Sequence, residues 1–344
     1  MTGVFSTIGL PEVIAGLIVL VLNGYVLTGG ADYGGGLWDL LATGARRTAQ
    51  RDLIASSIAP VWEANHVWLI VAVVMFFTAF PVAFGALGVV LHIPLTLMLL
   101  GVVLRGSAFV FRSYGSRTST ARRRWGRTFA IASVITPVLL GVAIGSTASG
   151  AVANAYGRVG DLPFTDVFIA PWLTWFPISV GVMTLALFAF LAAVYLAVAA
   201  TDAALQEDFR RRGLAAAVAV FVLAGLSLVA ARFGARDVLA GLTESGWALT
   251  LQGAIAISAV SALAALWTRH YRAARVAAGA QASLIVWGWA FAQFPFIVPP
   301  TMSIREAAAP EVTLSLLLVG VIGGAAVLIP SLRYLFRTFA GEGR

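Results

Sequence analysis

The chain has 344 residues, of which 60% are hydrophobic and 11% charged, and its mean hydropathy is +0.92. Soluble domains carry about 25% charged residues, so this composition excludes an ordinary soluble enzyme and predicts a polytopic membrane protein. The absence of cysteine excludes disulfides, thiolate metal sites, iron–sulfur clusters and covalently attached c-type haem. The net charge of +8 comes from arginines that stand in loops between apolar runs and form no single patch, so we expect no nucleic-acid partner.

Nine apolar runs are long enough to cross a hydrocarbon core of about 30 Å, which takes roughly 20 helical residues. They lie at 8–29, 54–80, 82–111, 128–149, 167–200, 213–231, 247–267, 273–296 and 311–337. No segment shows the alternation of a strand. We therefore predict an all-α protein with about nine transmembrane helices in one integral membrane domain. Its expected parts are two four-helix bundles, within 1–150 and 160–300, and a peripheral helix at 311–337.

Two boundaries within these runs carry helix-breaking or interfacial residues. Phe80-Pro81 predicts a very tight turn that joins the second and third spans as a hairpin, because Pro81 lacks an amide donor. Trp172 and Trp175 predict an interfacial segment at the start of the fifth run, because Trp favours the membrane interface.

The distribution of arginine predicts the orientation. Short cytoplasmic loops accumulate basic residues, and 18 of the 23 arginines fall on one side of the nine runs. Only Arg158, Arg232, Arg236 and Arg305 fall on the other side, and Arg105 lies inside the third run. The N-terminus is therefore expected outside and the C-terminus inside. Residues 1–7 lack the basic region of a signal peptide, so we expect the first span to be retained.

The end of the first run reads TGGADYGGG and places Asp32 among glycines. Glycines allow close helix approach and irregular backbone, so this segment could form the mouth of a water file. The alternative is an acid that caps a helix end, and the residues alone do not decide between them. No strand precedes the glycines, so a dinucleotide-binding loop is not supported.

The second run contains WEANHVW, in which Glu63, Asn65 and His66 interrupt an apolar stretch. If one helix begins near residue 53, Glu63 lies roughly 15 Å and His66 roughly 20 Å from the cytoplasmic face. An acid at this depth is costly and marks a functional candidate, here a proton or cation relay. The alternative is a hydrogen-bonded acid that only ties helices together.

The third run contributes His92 and Arg105. Counted inward from residue 82, His92 lies roughly 15 Å from the outer face, close in depth to His66. Two histidines at one depth could ligate a b-type haem, but we expect hydrogen-bonded roles and no haem ligand from this chain. Arg105 either extends to the cytoplasmic face or pairs with an acid.

Four segments stand out as motifs beyond their individual residues. They are TGGADYGGG at 28–36, RDLIASSIAPVWEANHVWLIVAVVMFFTAFP at 51–81, LRGSAFVFR at 104–112 and FPFIVPPTMS at 294–303. Together they resemble subunit II of the cytochrome bd-type quinol oxidases over essentially the whole chain, and the second segment is the most specific.

The resemblance implies a subunit without haem in the bacterial inner membrane. Its partner would be subunit I, which carries the haems and the quinol site, and a small single-span accessory subunit could join them. It further implies a proton route from the cytoplasm through Asp32 and Glu63. From their positions in the apolar runs we add His66 to this route, with Asn65, His92 and Arg105 as supporting polar residues. Membrane quinol and lipid are the remaining expected partners.

The chain departs from the usual pattern of this family in two segments. Gly29 stands where an acid is common, and Ala31 replaces an aromatic residue. Glu63-Ala64 replaces Asp-Gly, and His66 replaces a frequent Gln. These changes resemble the subset called cyanide-insensitive oxidases, and they leave open whether the partner holds haem d or only b-type haems.

Two other functional classes remain after this comparison of motifs. One is a secondary transporter that uses Asp32 and Glu63 for proton coupling, although the sequence shows no convincing inverted repeat. The other is a scaffold whose acids are incidental.

Overall fold

The computed structural model describes residues 8–58, 62–111 and 119–341, with all of their side chains except those of residues 63, 64, 119, 122 and 335–341. Within these ranges the chain is almost entirely helical, which confirms the predicted all-α membrane protein. The helices are α1 (Leu10–Leu40), α2 (Arg47–Ile58), α3 (Trp62–Ala79), α4 (Pro81–Val90), α5 (His92–Val110), α6 (Ser119–Ala148), α7 (Ala151–Tyr156), α8 (Phe164–Phe168), α9 (Trp175–Ala199), α10 (Ala203–Gly234), α11 (Arg236–Thr243), α12 (Ala248–Trp267), α13 (Tyr271–Gln293) and α14 (Glu311–Gly341).

Seven of the described helices are long and apolar enough to cross a membrane, namely α1, α5, α6, α9, α10, α12 and α14. The bent pair of α3 and α4 would make an eighth crossing. Helix α13 covers most of the eighth apolar run but is not among these seven. The described helices thus support a polytopic protein, whereas nine crossings stay a prediction.

The predicted tight turn at Phe80-Pro81 is present, but a second break follows inside the third apolar run, so the predicted hairpin of two long spans is wrong. Pro81 starts a new helix, α4, whose axis is bent by 115° from α3. Proline fits this first helical position because the amide that it lacks would have no intrahelical partner there. The ring of Phe84 contacts Phe76 and Phe77, and these contacts hold the corner. A second break at Leu91 then starts α5.

Helix α1 continues past the first apolar run to Leu40, so the glycine-rich segment is helical and not irregular. Each glycine inside a helix costs roughly 0.5–1 kcal/mol, which close packing can offset. A Cβ on Gly34 would lie 2.0 Å from the carbonyl oxygen of Phe188, and one on Gly36 would lie 2.2 Å from Ser133. The glycines therefore let the backbone of α1 approach the backbone of α9 and the Ser133 side chain of α6.

Helix α9 forms the centre of the described bundle. It packs against α1, α6, α10 and α13, and its side chains from Leu187 to Val194 are all buried. A helix that is apolar on every side is suited to such a position. Helix α14, by contrast, packs on α1 and α3 and is largely exposed.

A short hairpin follows α13, formed by β1 (Phe296–Val298) and β2 (Met302–Ser303). The loop after it is tied to two distant helix ends: Arg305 pairs with Glu12 at the start of α1, and the amide of Ala309 donates to the carbonyl of Ala79 at the end of α3. Within the loop, hydrogen bonds from the hydroxyl and amide of Ser303 lower the pKa of Glu306.

Candidate functional site

A buried ion pair between α1 and α5 forms the centre of the candidate site. Nη2 of Arg105 donates to Oδ1 of Asp32 at 2.6 Å and to the backbone carbonyl of Asp32 at 3.3 Å. The two side chains are only 1% and 2% exposed. Of the two alternatives for Arg105, pairing with an acid is therefore correct. The capping interpretation of Asp32 is wrong, because α1 continues for two turns beyond it.

Arg105 also makes a hydrogen bond and two cation–π contacts with residues other than Asp32. Its Nε donates to Oγ of Ser133 at 3.1 Å, and that hydroxyl in turn donates to the carbonyl of Phe129. The guanidinium lies 4.6 Å from the ring centre of Tyr33 and 5.0 Å from that of Phe129. Burying each charge costs several kcal/mol, and the ion pair, the hydroxyl and cation–π contacts of up to about 2 kcal/mol offset this cost.

His66 lies beside this pair, on α3. Its Nδ1 is 2.7 Å from the carbonyl oxygen of Trp62. A carbonyl only accepts, so this geometry places a proton on Nδ1 and leaves Nε2 for another partner. The imidazole lies between two rings, with its centre 6.3 Å from that of Tyr33 and 6.0 Å from that of Trp62. Tyr33 is thus a neighbour of both His66 and the guanidinium of Arg105.

Asn65 lies on the same side of the bundle and is 2% exposed. Its Nδ2 donates to the carbonyl of Thr28 at 3.4 Å, which joins α3 to α1 one turn before Asp32. The structure therefore brings four of the sequence-predicted residues to the packing between α1, α3 and α5: Asp32, Asn65, His66 and Arg105.

His92 and Glu63 are the other two residues predicted from the sequence. His92 is the first residue of α5, is exposed, and has its ring 5.0 Å from that of Phe168 in α8, so it is not part of this site. The depth counted for it from residue 82 is wrong, because 81–90 belongs to α4. Glu63 is in the first turn of α3, and its side chain lies outside the described part of the chain. Its depth, counted from residue 53, stays a prediction, because residues 59–61 between α2 and α3 lie outside the described part of the chain.

Two polar atoms at the site are buried and have no hydrogen-bond partner among the described residues. They are Oδ2 of Asp32 and the hydroxyl of Tyr33, which interacts with the hydroxyl of Tyr25 without reaching full hydrogen-bond geometry. Leaving such atoms unsatisfied costs about 1–3 kcal/mol each, so native proteins usually provide a partner, often water. The arrangement thus offers a fixed carboxylate, a phenol and an imidazole with unused hydrogen-bonding capacity, which are the groups that proton transfer requires.

Three residues of the site, Tyr33, Phe129 and Ser133, were not predicted from the sequence. Ser133 is one hydroxyl in an apolar run, and the rings of Tyr33 and Phe129 resemble any other aromatic in a membrane helix. The adjacency of Tyr33 to Asp32 was the only available signal. Among the described residues, no three His, Cys, Asp or Glu side chains are arranged to hold a metal ion.

Comparison with known proteins gives concordant results. A family model described as cytochrome bd terminal oxidase subunit II matches residues 10–339. The putative cytochrome bd menaquinol oxidase subunit II of Bacillus subtilis is 24% identical over 93% of this chain and 92% of its own length. Subunit 2 of the Escherichia coli cytochrome bd-I ubiquinol oxidase is 32% identical over 40% of this chain, and the match spans only 36% of that relative's length.

A solved structure supports the same fold. A chain in the structure of the bd oxidase from Geobacillus thermodenitrificans superposes with a TM-score of 0.78, covering 96% of this chain and 98% of that chain at 22% identity.

Proposed function

The chain belongs to the cytochrome bd terminal oxidase subunit II family, and from that membership we propose that it is the non-haem subunit of a membrane quinol:oxygen oxidoreductase. The observation that carries this proposal is the family match over residues 10–339, nearly the whole chain. We infer that subunit I is its partner in the bacterial inner membrane and holds the b-type haems, any haem d and the quinol site. A small accessory subunit would complete the assembly.

The role proposed for this chain is to supply protons from the cytoplasm for the reduction of oxygen to water. The support is a cluster of buried and half-buried ionisable and polar groups between mainly apolar helices. Unused hydrogen-bonding capacity remains on a carboxylate oxygen of Asp32, the hydroxyl of Tyr33 and an imidazole nitrogen of His66. Glu63, one helical turn before His66, is proposed as the carboxyl that accepts and releases the proton.

Asp32 and Glu63 have different parts in this proposal. Asp32 has one oxygen committed to Arg105 and acts as a fixed charge whose second oxygen can hold the end of a water file. Glu63 has to change protonation state in each cycle. This division rests on the cost of leaving the Arg105 charge uncompensated, several kcal/mol in a buried site.

The test is quinol-driven oxygen uptake by the purified complex that carries Glu63→Gln. Gln preserves the volume and most of the hydrogen bonding but cannot carry a proton, so haem content should be normal while oxygen uptake and proton uptake fall at least tenfold, about 1.4 kcal/mol in the barrier. Glu63→Asp should retain partial activity. The matched control is Glu311→Gln, which changes an exposed acid at the start of α14 and should leave turnover unchanged. Full activity in Glu63→Gln would remove the proposed relay.

We propose nine membrane crossings with the N-terminus outside and the C-terminus inside. The support is the arginine distribution, 18 of 23 on one side. Single cysteines in this cysteine-free chain test the orientation: an impermeant thiol reagent on intact cells should label position 158 or 305 but not position 122 or 272. The reverse pattern would invert the topology and place the proton entry on the wrong side.

A proton-coupled transporter is the alternative function. Co-purification separates the two, because a transporter would be complete alone, whereas an oxidase subunit would be recovered with a haem-bearing partner and the visible spectrum of that partner.

A further inference from the structure

A cavity of about 290 Å³ lies away from the ion-pair site, between the loop that joins α1 to α2 and the start of α10. Its lining includes three arginines and one carboxylate: Arg46, Arg211, Arg212 and Asp208. Gln50 of α2 completes the polar part of the lining. The formal charge of these groups is therefore positive, which favours an anionic occupant.

The carboxylate in this cavity is already fully engaged. Nε of Arg46 donates to Oδ2 of Asp208 at 2.8 Å, and Nη2 of the same arginine contacts Oδ1. Nε2 of Gln50 also donates to Oδ2, at 2.8 Å. Asp208 therefore neutralises Arg46 and has little capacity left for the other two arginines. Arg211 is paired with Glu207, which lies outside the lining, with its Nε 3.2 Å from Oε1.

Arg212 has a donor that nothing in the described chain uses. Its Nη2 donates to Oε1 of Gln50 at 2.8 Å, but its Nη1 is buried and has no hydrogen-bond partner among the described residues. The guanidinium is held in place by the rings of Trp38 and Phe209, at 5.5 and 5.1 Å. This unpaired donor has almost no accessible surface in the observed conformation, so the Arg212 side chain would have to shift for it to contact a phosphate oxygen in the cavity. A planar guanidinium is the side-chain group best matched to phosphate.

The surroundings of the cavity indicate which phosphate would bind. The carbonyl of Leu41 accepts a long hydrogen bond from Arg212 at 3.5 Å, so the last turn of α1 borders the cavity. Leu40 and Leu41, at the end of α1, are 43% and 48% exposed and precede the lining residues that begin at Thr43. An apolar surface next to a basic cavity at the end of a membrane helix matches the two parts of a phospholipid.

We propose that this cavity binds the phosphate group of an anionic phospholipid, with Arg212 and Arg211 as the charged contacts and Leu40 and Leu41 against the acyl chains. The lipid would bridge α1, α2 and α10 on the arginine-rich side of the bundle. The site is independent of the proposed proton route and of haem.

Native mass spectrometry of the delipidated complex tests this site. Dioleoyl phosphatidylglycerol is titrated against dioleoyl phosphatidylcholine, which has the same acyl chains but no net charge. The wild type should bind phosphatidylglycerol preferentially, and Arg212→Gln should weaken that binding about tenfold, the loss expected for a charge-assisted hydrogen bond. Arg212→Lys, which keeps the charge but loses the planar fork, should show an intermediate loss.

Two controls keep the test decisive. Arg272→Gln removes an exposed arginine at the start of α13 that does not line the cavity, and should not change binding. Arg211→Gln removes a side chain that is 75% exposed, so this variant should assemble even if Arg212→Gln does not, and it should also weaken binding. Equal binding of the two lipids, or unchanged affinity in both arginine variants, would overturn the site. Complete displacement of the lipid by inorganic phosphate would overturn a lipid as its occupant.

Discussion

Two Asp–Arg pairs in this chain have similar hydrogen bonds and opposite surroundings. In the inner pair, Asp32 and Arg105 are 2% and 1% exposed, whereas in the outer pair Asp208 and Arg46 are 16% and 50% exposed. The Coulomb attraction is screened by water in the second pair and hardly in the first. The same two residue types therefore form a buried ion pair at the candidate site and a partly solvated ion pair at the surface.

Removing one charge from the inner pair should give the largest effect. Asp32→Asn leaves a buried guanidinium without its counter-charge, and we expect a loss of about 3–5 kcal/mol in stability. The thermal midpoint of the purified complex, with haem content recorded at each temperature, measures this loss. A midpoint equal to that of the wild type would show that the pair is weaker than its burial indicates.

The double variant Asp32→Leu, Arg105→Met sharpens the same comparison. Replacing both charges by apolar groups of similar volume is often neutral or stabilising, so this variant should be more stable than Asp32→Asn alone. If the pair also serves the proton route, oxygen uptake should remain low although stability returns. Recovery of both properties together would assign Asp32 a structural role only.

Replacing a glycine by alanine should reduce stability near both ion pairs, but for different reasons. Gly34→Ala would drive a Cβ to 2.0 Å from the backbone of Phe188, so we expect a loss of about 3 kcal/mol, at the upper end for overpacking. Gly44 beside the outer pair has no atom within 4 Å but has a φ of +77°, so Gly44→Ala should cost only about 1 kcal/mol of backbone strain. Thermal midpoints of the two variants measure the difference, and a larger loss at Gly44 would contradict it.

The outer pair should give the smallest effect. Asp208→Asn removes one charge that water and salt already screen, so the thermal midpoint should fall slightly at low salt and not measurably at high salt. A large decrease that persists at high salt would mean that the outer pair behaves as the inner one does.

The sequence predicted the class of fold well and the helix breaks poorly. Apolar runs determine which segments become membrane helices, because hydrocarbon requires internal backbone hydrogen bonds. They do not determine where a helix continues or bends. Helix α1 includes its glycines because Phe188 and Ser133 pack against them, and α4 bends away from α3 because aromatic rings fill the corner. Both causes involve tertiary contacts that no local pattern contains.

In the candidate site, the polar residues could be predicted from the sequence and their contacts could not. Asp32, Asn65, His66 and Arg105 could be selected from the sequence because polar groups are rare in apolar runs. Their partners could not, because the register between α1, α5 and α6 decides that Arg105 meets Asp32 and Ser133. The depth of His92 was counted along one helix from residue 82, and the break at Leu91 is invisible to such a count of residues.

The loop that follows the β-hairpin has a consequence for the order of folding. Ala309 donates to the end of α3 and Arg305 pairs with the start of α1, so both early helices receive a partner from a segment that is synthesised much later. Contacts of such long sequence separation form slowly. The carbonyl of Ala79 and the carboxylate of Glu12 therefore lack these two contacts until the loop has been synthesised. A nascent chain that stalls before residue 305 would therefore leave the ends of α1 and α3 without these two contacts.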